Sequence, residues 1–245
     1  IGRKIRRAFV AGDADWLLLD ADYSQIELRI MAHLSEDATL IEAFQKDEDI
    51  HTKTAALVFD IPPGSVDPEL RGRAKTINFG IIYGMGPYGL ARRLDIGISE
   101  AREFIEVYFA QYPGVKAYTD RMIAEAREQG YVTTMLGRRR YLPEILSSNR
   151  QMREFAERTA VNTPVQGTSA DLIKRAMIHI HRRLSEEKLR AKMILQVHDE
   201  LVFEVPKDEL DLVKALVVAE MEGALELSVP VKVDVGVGEN WLEAH

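Results

Sequence analysis

The chain contains no cysteine among its 245 residues. Disulfides and thiolate metal sites are therefore excluded, and the absence fits a reducing cytoplasm, the expected location. No apolar run is long enough to cross a bilayer, so no membrane partner is expected. The basic opening, Ile1 to Arg7, is not followed by the long apolar stretch of a signal peptide. An excess of positive charge is also missing: 32 Lys and Arg stand against 39 Asp and Glu, a net charge of −7. That balance rules out a simple basic nucleic-acid-binding domain. There is no internal repeat and no low-complexity tract. The chain does not open on Met, and the expectation is a portion processed or excised from a longer protein.

What is present is an ordinary globular composition, 46% hydrophobic and 29% charged, long enough for one large domain or two smaller ones. Positive charge is gathered locally at Arg3–Arg7, Arg71–Lys75, Arg138–Arg140, Arg150–Arg153 and Arg182-Arg183. An acidic protein can hold nucleic acid in a locally positive cleft. Each cluster alone also reads as a solvated face, the preferred reading for Arg182-Arg183.

The chain is organised around Met193–Val205, two runs rich in β-formers with His198, Asp199 and Glu200 between them. This predicts a β-hairpin in a buried sheet. Its turn has no Gly, Asn or Pro, so ordinary turn chemistry does not account for these residues. Two adjacent acids at the end of buried strands are costly without a cation, and the oxygen ligands suit a divalent metal. A solvated acidic turn explains this stretch equally well. A second stretch, Trp16–Arg29, also runs from an apolar strand into acids, Asp20, Asp22 and Glu27. Asp22 and Asp199 could hold two Mg²⁺ ions about 3.5–4 Å apart, as in phosphoryl transfer, although the spacing does not bring them together.

Between these acids the pattern is helical. Helices are expected over 24–34, 39–45, 50–59, 68–83, 90–94, from a Ser99 cap onward, and over 115–129. A hairpin is expected over 131–143, turning at Leu136-Gly137-Arg138. A long helical region over 149–189 is expected to kink or break at Pro164. The hairpin follows, then a helix over 209–225 and a strand over 231–237. In the helix from Pro68, Arg71, Lys75, Phe79 and Tyr83 recur every four residues and share one slowly winding face. Two cations followed by two aromatics suit a nucleoside triphosphate, though an amphipathic helix with Ile77, Ile81 and Ile82 as core has the same pattern. Gly80 within it costs about 1 kcal/mol relative to Ala, which close approach of a template base or sugar would explain. His51 by itself reads as a surface histidine and Glu27 as an exposed helix carboxylate.

Asp22-Tyr-Ser-Gln-Ile-Glu-Leu-Arg29 resembles motif A of family A DNA polymerases, the bacterial DNA polymerase I family. Arg71 to Gly84 resembles motif B, and Gln196-Val-His-Asp199-Glu-Leu201 resembles motif C. The motifs stand in the family's order, and the resemblance runs on to His245. It implies an α+β fold: an antiparallel-sheet palm interrupted by mostly helical fingers, the right-hand polymerase architecture without its thumb. The implied domains are palm 1–35, fingers 36–146 and palm 147–245. The implied activity is template-directed DNA synthesis, with roles in replication and repair. Deoxynucleotides would be added to a primer 3′-hydroxyl by two-metal phosphoryl transfer using Mg²⁺, with Mn²⁺ as a substitute.

The resemblance also implies roles for individual residues. Asp22 and Asp199 would bridge the metals, the Tyr23 carbonyl would complete one site, and Glu200 would be accessory. Arg71 and Lys75 would be catalytic through the triphosphate, with Gln25, Glu27, His51, Phe79 and Tyr83 around the nucleotide. Glu27 would bond to Tyr83 beneath the sugar and reject a 2′-hydroxyl. Arg158, Asn162 and Gln166 would probe the minor groove, where acceptors are similarly placed for every correct pair. His198 would meet the primer terminus, and Arg138 the template backbone. Gly72 departs from the family, which often has Arg there. The partners implied are primer-template DNA, deoxynucleoside triphosphates, and an N-terminal thumb and exonuclease portion missing from this chain. The alternatives are a single-subunit RNA polymerase relative and a non-catalytic DNA-binding fragment.

Overall fold

The structure, a computed structural model, describes residues 2–245, with side chains from residue 4 onward. Ile1, the start of the expected palm, and the side chain of Arg3 in the first basic cluster lie outside the described residues. In chain order the elements begin with α1 (Gly2–Ile5), β1 (Trp16–Tyr23), α2 (Ile26–Ser35), α3 (Ala38–Gln45), α4 (Ile50–Val58) and α5 (Pro68–Ile82). Next come α6 (Pro87–Leu94), α7 (Ile98–Gln111), α8 (Pro113–Gln129), β2 (Tyr131–Thr133), β3 (Arg139–Tyr141) and α9 (Arg150–Glu186). The chain closes with β4 (Lys192–Val197), β5 (Glu200–Pro206), α10 (Leu210–Glu222), β6 (Val233–Gly238) and α11 (Trp241–Ala244).

Contacts divide the chain into two compact units, Ile1–Ile26 with Ser169–His245, and Glu27–Thr168. The fold is α+β, an antiparallel sheet with a helical insertion. The divisions fall at 26/27 and 168/169, not at the expected 35/36 and 146/147. The reason at the second is packing: Ala156 and Ala160 of α9 join Ala126, Val132, Leu142 and Ile145 in one core cluster. The first half of α9 thereby belongs with the hairpin β2–β3.

The first unit is built on a four-stranded sheet in the order β4-β5-β1-β6, every pair antiparallel. Directly opposed residues share a face. Leu19, Ala21 and Tyr23 oppose Phe203, Leu201 and Val233, and they lie on the α10 side, where the Tyr23 hydroxyl donates to the Met221 carbonyl at 2.7 Å. The opposite face carries Leu18, Asp20 and Asp22 of β1 with Val202 and Glu200 of β5. There Leu18, Val202, Trp241 and Ala244 form a small core. Contrary to expectation, β4 is a half-exposed edge strand, so only the outgoing arm of the hairpin is buried.

Two glycines seat α11 on this face. A Cβ on Gly236 would lie 1.9 Å from the Ala244 carbonyl oxygen, and one on Gly238 would lie 2.5 Å from the Glu243 Cβ. No side chain fits, so the terminal helix packs directly on β6 and delivers Trp241 to the sheet.

The second unit is helical apart from β2–β3, and aspartates start three of its helices. Asp37, Asp49 and Asp67 accept from backbone N–H groups of α3, α4 and α5, which satisfies donors that a helix start leaves open. Asp37 also accepts from Gly114 N at 2.8 Å and so ties α3 to the start of α8. Two expectations need correction. The N-cap of α7 is Gly97, without a side-chain cap, and Ser99 lies inside the helix. α9 is not broken at Pro164 but runs through it from Arg150 to Glu186, with Ala160, Val161 and Val165 buried beside it.

Gly236→Ala should lower stability by about 1–3 kcal/mol, the usual cost of forcing extra volume into a packed contact. It should also expose Trp241. Thermal unfolding and tryptophan fluorescence check this, and a wild-type Tm with unchanged emission would contradict the seating of α11.

Candidate active site

Asp22 ends β1 opposite Glu200 on one side and Asp234 on the other, so three carboxylates stand in a row across three strands. Like charges directly opposed in a sheet are unfavourable. Asp199 joins them in the two-residue turn between β4 and β5, where its carbonyl accepts from Tyr23 N at 3.3 Å. Asp22 and Asp199, 177 positions apart by their numbering, are thus brought together. The left-handed backbone of this turn falls on His198, with φ 52°. Such a conformation costs a non-glycine residue roughly 1–2 kcal/mol.

Burial, followed by the charges of Asp199, Glu200 and Asp234, pushes Asp22 up to about 6, with Arg6 opposing. Asp22 Oδ1 is buried and has no hydrogen-bond partner among the described residues. An orphaned carboxylate oxygen among further carboxylates fits a divalent cation. Hard oxygen donors suit Mg²⁺ or Mn²⁺.

Deeper on the same face lies a group that sequence reasoning missed. Asp20, Glu200 and His245 each bring one donor atom within 4.8 Å of the others, so this trio can also hold a metal ion. Glu200 is buried, accepts from Trp241 Nε1 at 2.5 Å and pairs with Arg6 at 3.4 Å. Arg6 also lies 4.5 Å from the Trp241 ring. This member of the basic N-terminal cluster therefore turns into the carboxylates and is no longer a plain solvated cation. His245 Nδ1 lies 3.2 Å from Asp20 Oδ2. Burial, followed by the hydrogen bond and charge of Glu200, pushes Asp20 up to about 8.

In the second unit, α5 is two-sided. Ile77, Asn78, Gly80, Ile81 and Ile82 are buried, while Lys75 is exposed and Arg71, Phe79 and Tyr83 are half-buried. Arg71 Nε pairs with Asp49 at 2.6 Å, so the cap of α4 also fixes this guanidinium. Lys75 Nζ lies 6.0 Å from the Phe79 ring, and the Phe79 and Tyr83 rings stack at 6.0 Å. A cleft of about 440 Å³ runs along Gly72, Lys75, Phe79 and Tyr83. The Tyr83 hydroxyl donates to Glu27, the contact that the resemblance implied.

Gly80 lines the same cleft, and a Cβ on it would meet Met85 and Leu90 only at ordinary contact distances of 3.4–3.7 Å, so packing alone does not require a glycine. One local expectation fails here. His51 is buried, not a surface histidine, and burial above all, with Arg71 and Lys75 adding, lowers it to about 4. On α9, Arg158 and Gln166 are exposed, while the half-buried Asn162 amide lies against the Tyr83 carbonyl at 3.3 Å. Arg138 is exposed at the β2–β3 turn. Gln25, between β1 and α2, has φ 54° and a buried, unpartnered Oε1. In the first unit, Arg183 of the last basic cluster bonds to Glu187 and to Glu220, the latter at 2.9 Å, rather than being merely solvated.

The sequence profile of DNA polymerase family A matches residues 1–243. The chain belongs to DNA polymerase family A. It is 55% identical over 243 residues to DNA polymerase I of Bacillus caldotenax, covering 99% of this chain and 28% of that protein. Against the thermostable DNA polymerase I of Thermus aquaticus it is 51% identical over 244 residues, covering 29% of that relative. The family A chain therefore spans under a third of the length of these relatives. Among solved structures it is similar to the polymerase domain of Pol1 from M. smegmatis in complex with DNA primer-template and dNTP. That match has a TM-score of 0.96 and 50% identity, and covers 99% of this chain and 43% of that one. Among the described residues no helix is long and apolar enough to cross a membrane.

The raised Asp20 pKa has a definite sign. Folding favours the protonated form, so its contribution is complete below about pH 4 and is lost as pH rises toward about 8. Asp20→Asn keeps a neutral group at every pH. In metal-free buffer its Tm should match wild type near pH 4 and exceed it at pH 8 to 9. A difference independent of pH would contradict this.

Proposed function

We propose that this chain is the nucleotide-adding portion of a DNA polymerase, performing template-directed DNA synthesis on primer-template DNA with deoxynucleoside triphosphates. The observation that carries the reading is Asp22, half-buried with Oδ1 buried and unpartnered among the described residues, in a row of carboxylates beside Asp199. The family and the content of the M. smegmatis complex support it.

In this reading Asp22 and Asp199 hold two Mg²⁺ ions, with the Tyr23 carbonyl as a further ligand. When bound, such ions stabilise the attacking and leaving oxygens of phosphoryl transfer. Glu200, occupied by Trp241 and Arg6, keeps the sheet end in shape. Lys75 and Arg71 hold the triphosphate and neutralise charge as pyrophosphate departs, and Lys75 can give it a proton. Asp49 keeps Arg71 from wandering. His51 and Gln25 contact the nucleotide, and Phe79 packs on its sugar. Glu27, held by Tyr83, fills the place a 2′-hydroxyl would need, which favours deoxynucleotides over the single-subunit RNA polymerase alternative. Arg158, Asn162 and Gln166 contact the minor groove, His198 the primer end and Arg138 the template backbone. The domain names palm and fingers apply to the sheet unit and the helical unit. A net charge of −7 gives no long-range pull on DNA, so further protein surface is needed for tight, salt-resistant binding.

Primer extension tests the reading, using the chain joined to the upstream portion of a relative. Asp22→Asn and Asp199→Asn should each reduce incorporation by about 10³-fold or more, the equivalent of several kcal/mol of lost charge stabilisation. Circular dichroism should remain unchanged. Near-normal incorporation by both variants would contradict the assignment. Preference for ribonucleotides would favour an RNA polymerase, and DNA binding without incorporation by wild type would favour a non-catalytic module.

A further inference from the structure

The buried polar group Thr54–Asn78–His51 joins α4 to the inward side of α5. Thr54 and Asn78 are fully buried and His51 is 2% exposed. Thr54 Oγ1 donates to Asn78 Oδ1 at 3.0 Å, and Asn78 Nδ2 lies 2.9 Å from His51 Nδ1. The threonine takes up the carbonyl end of the amide, which leaves the NH₂ end for the histidine. An amide nitrogen can only donate, so Nδ1 must accept and the ring proton belongs on Nε2. Nε2 has no hydrogen-bond partner among the described residues. The ring sits 5.8 Å from Phe79, on the helix that carries Arg71 and Lys75.

We propose that Asn78 is a positioning residue that locks His51 in its Nε2–H tautomer and so presents a directed donor to the nucleotide's triphosphate. The inference rests on the polymerase reading for its ligand and on geometry for the lock. Burial, reinforced by Arg71 and Lys75 and opposed by Asp49, lowers His51 to about 4 and keeps the ring uncharged at neutral pH. That is the condition under which a tautomer matters, since an imidazolium donates from both nitrogens. Arg71 and Lys75 supply charge to the phosphates, and His51 supplies direction. Asn78 touches no substrate; it acts through the ring. Thr54 in turn orients Asn78.

The lock is read directly by long-range ¹H–¹⁵N correlation on histidine-labelled protein without nucleotide. His51 should show a non-protonated Nδ1 and a protonated Nε2. Asn78→Asp sets an acceptor against Nδ1 and should move the proton there. Thr54→Val releases the amide and should give a mixture. Kinetics separate this role from a structural one. In the extension-competent protein, Asn78→Leu should raise KM for deoxynucleotide about fivefold, the worth of one hydrogen bond, with kcat little changed. In a His51→Ala background it should add nothing. Protonated Nδ1 in wild type overturns the lock, whatever the kinetics. The expected tautomer with no KM change on His51→Ala leaves the lock in place but overturns the donor role and the nucleotide reading of His51. A full Asn78→Leu effect in the His51→Ala background overturns action through the ring.

Discussion

Mutual repulsion among clustered carboxylates, with Glu200 buried, Asp22 and Asp199 half-buried and Asp234 exposed, is the constraint around which the sheet unit is built. Asp234, Asp22 and Glu200 oppose one another across β6, β1 and β5, and Asp199 closes the group from the turn. An arrangement of this kind is unfavourable in the folded protein alone. The surrounding sequence offsets only its inner part. Arg6 pairs with Glu200, Trp241 donates to it, and Asp20 keeps a proton at neutral pH. Gly236 and Gly238 have no side chain because α11 must lie flat to deliver that indole. The outer part, Asp22 Oδ1, is left without a partner among the described residues. Neutralisation stops where a cation is needed.

The helical unit solves a different problem, which is to hold cations and rings along one face of α5 without letting them relax. Arg71, Tyr83 and the neighbouring His51 are fixed from behind. Asp49 caps α4 and grips Arg71. Glu27 takes the Tyr83 hydroxyl, and the buried Thr54–Asn78 pair fixes His51. Long cationic side chains lose much entropy when ordered. Ordering them before a ligand arrives reduces what binding must pay. The same helix buries Ile77, Ile81 and Ile82, so the packed face and the face of cations and rings share one rigid element.

Much of this was legible in the residues. Apolar runs ending in acids marked β1 and β5, and four-residue spacing marked the face of α5. The apolar pattern placed the helices to within a few residues, but the aspartates that cap α3, α4 and α5 were not singled out. What escaped was tertiary. Asp20 stood out only as one acid after an apolar run and Asp234 not at all, and only the register shows that they share a face with Asp22. Gly236 and Gly238 look like flexible residues until α11 lies against them. His51 has no local signal of burial, because the groups that bury it come from α5. Pro164 suggested a break that α9 does not make.

The central claim is that the Asp22–Asp199 group is a cation site, and the most direct test is thermal unfolding of the 245-residue chain with and without divalent cation. At pH 7.5 the account predicts that Mn²⁺ or Mg²⁺ raises Tm in a concentration-dependent way, as ligands of the folded state do. The shift should disappear in the Asp22→Asn, Asp199→Asn double variant, which should itself be more stable than wild type in EDTA. An equal cation-induced shift in wild type and double variant, or a double variant less stable in EDTA, would contradict it.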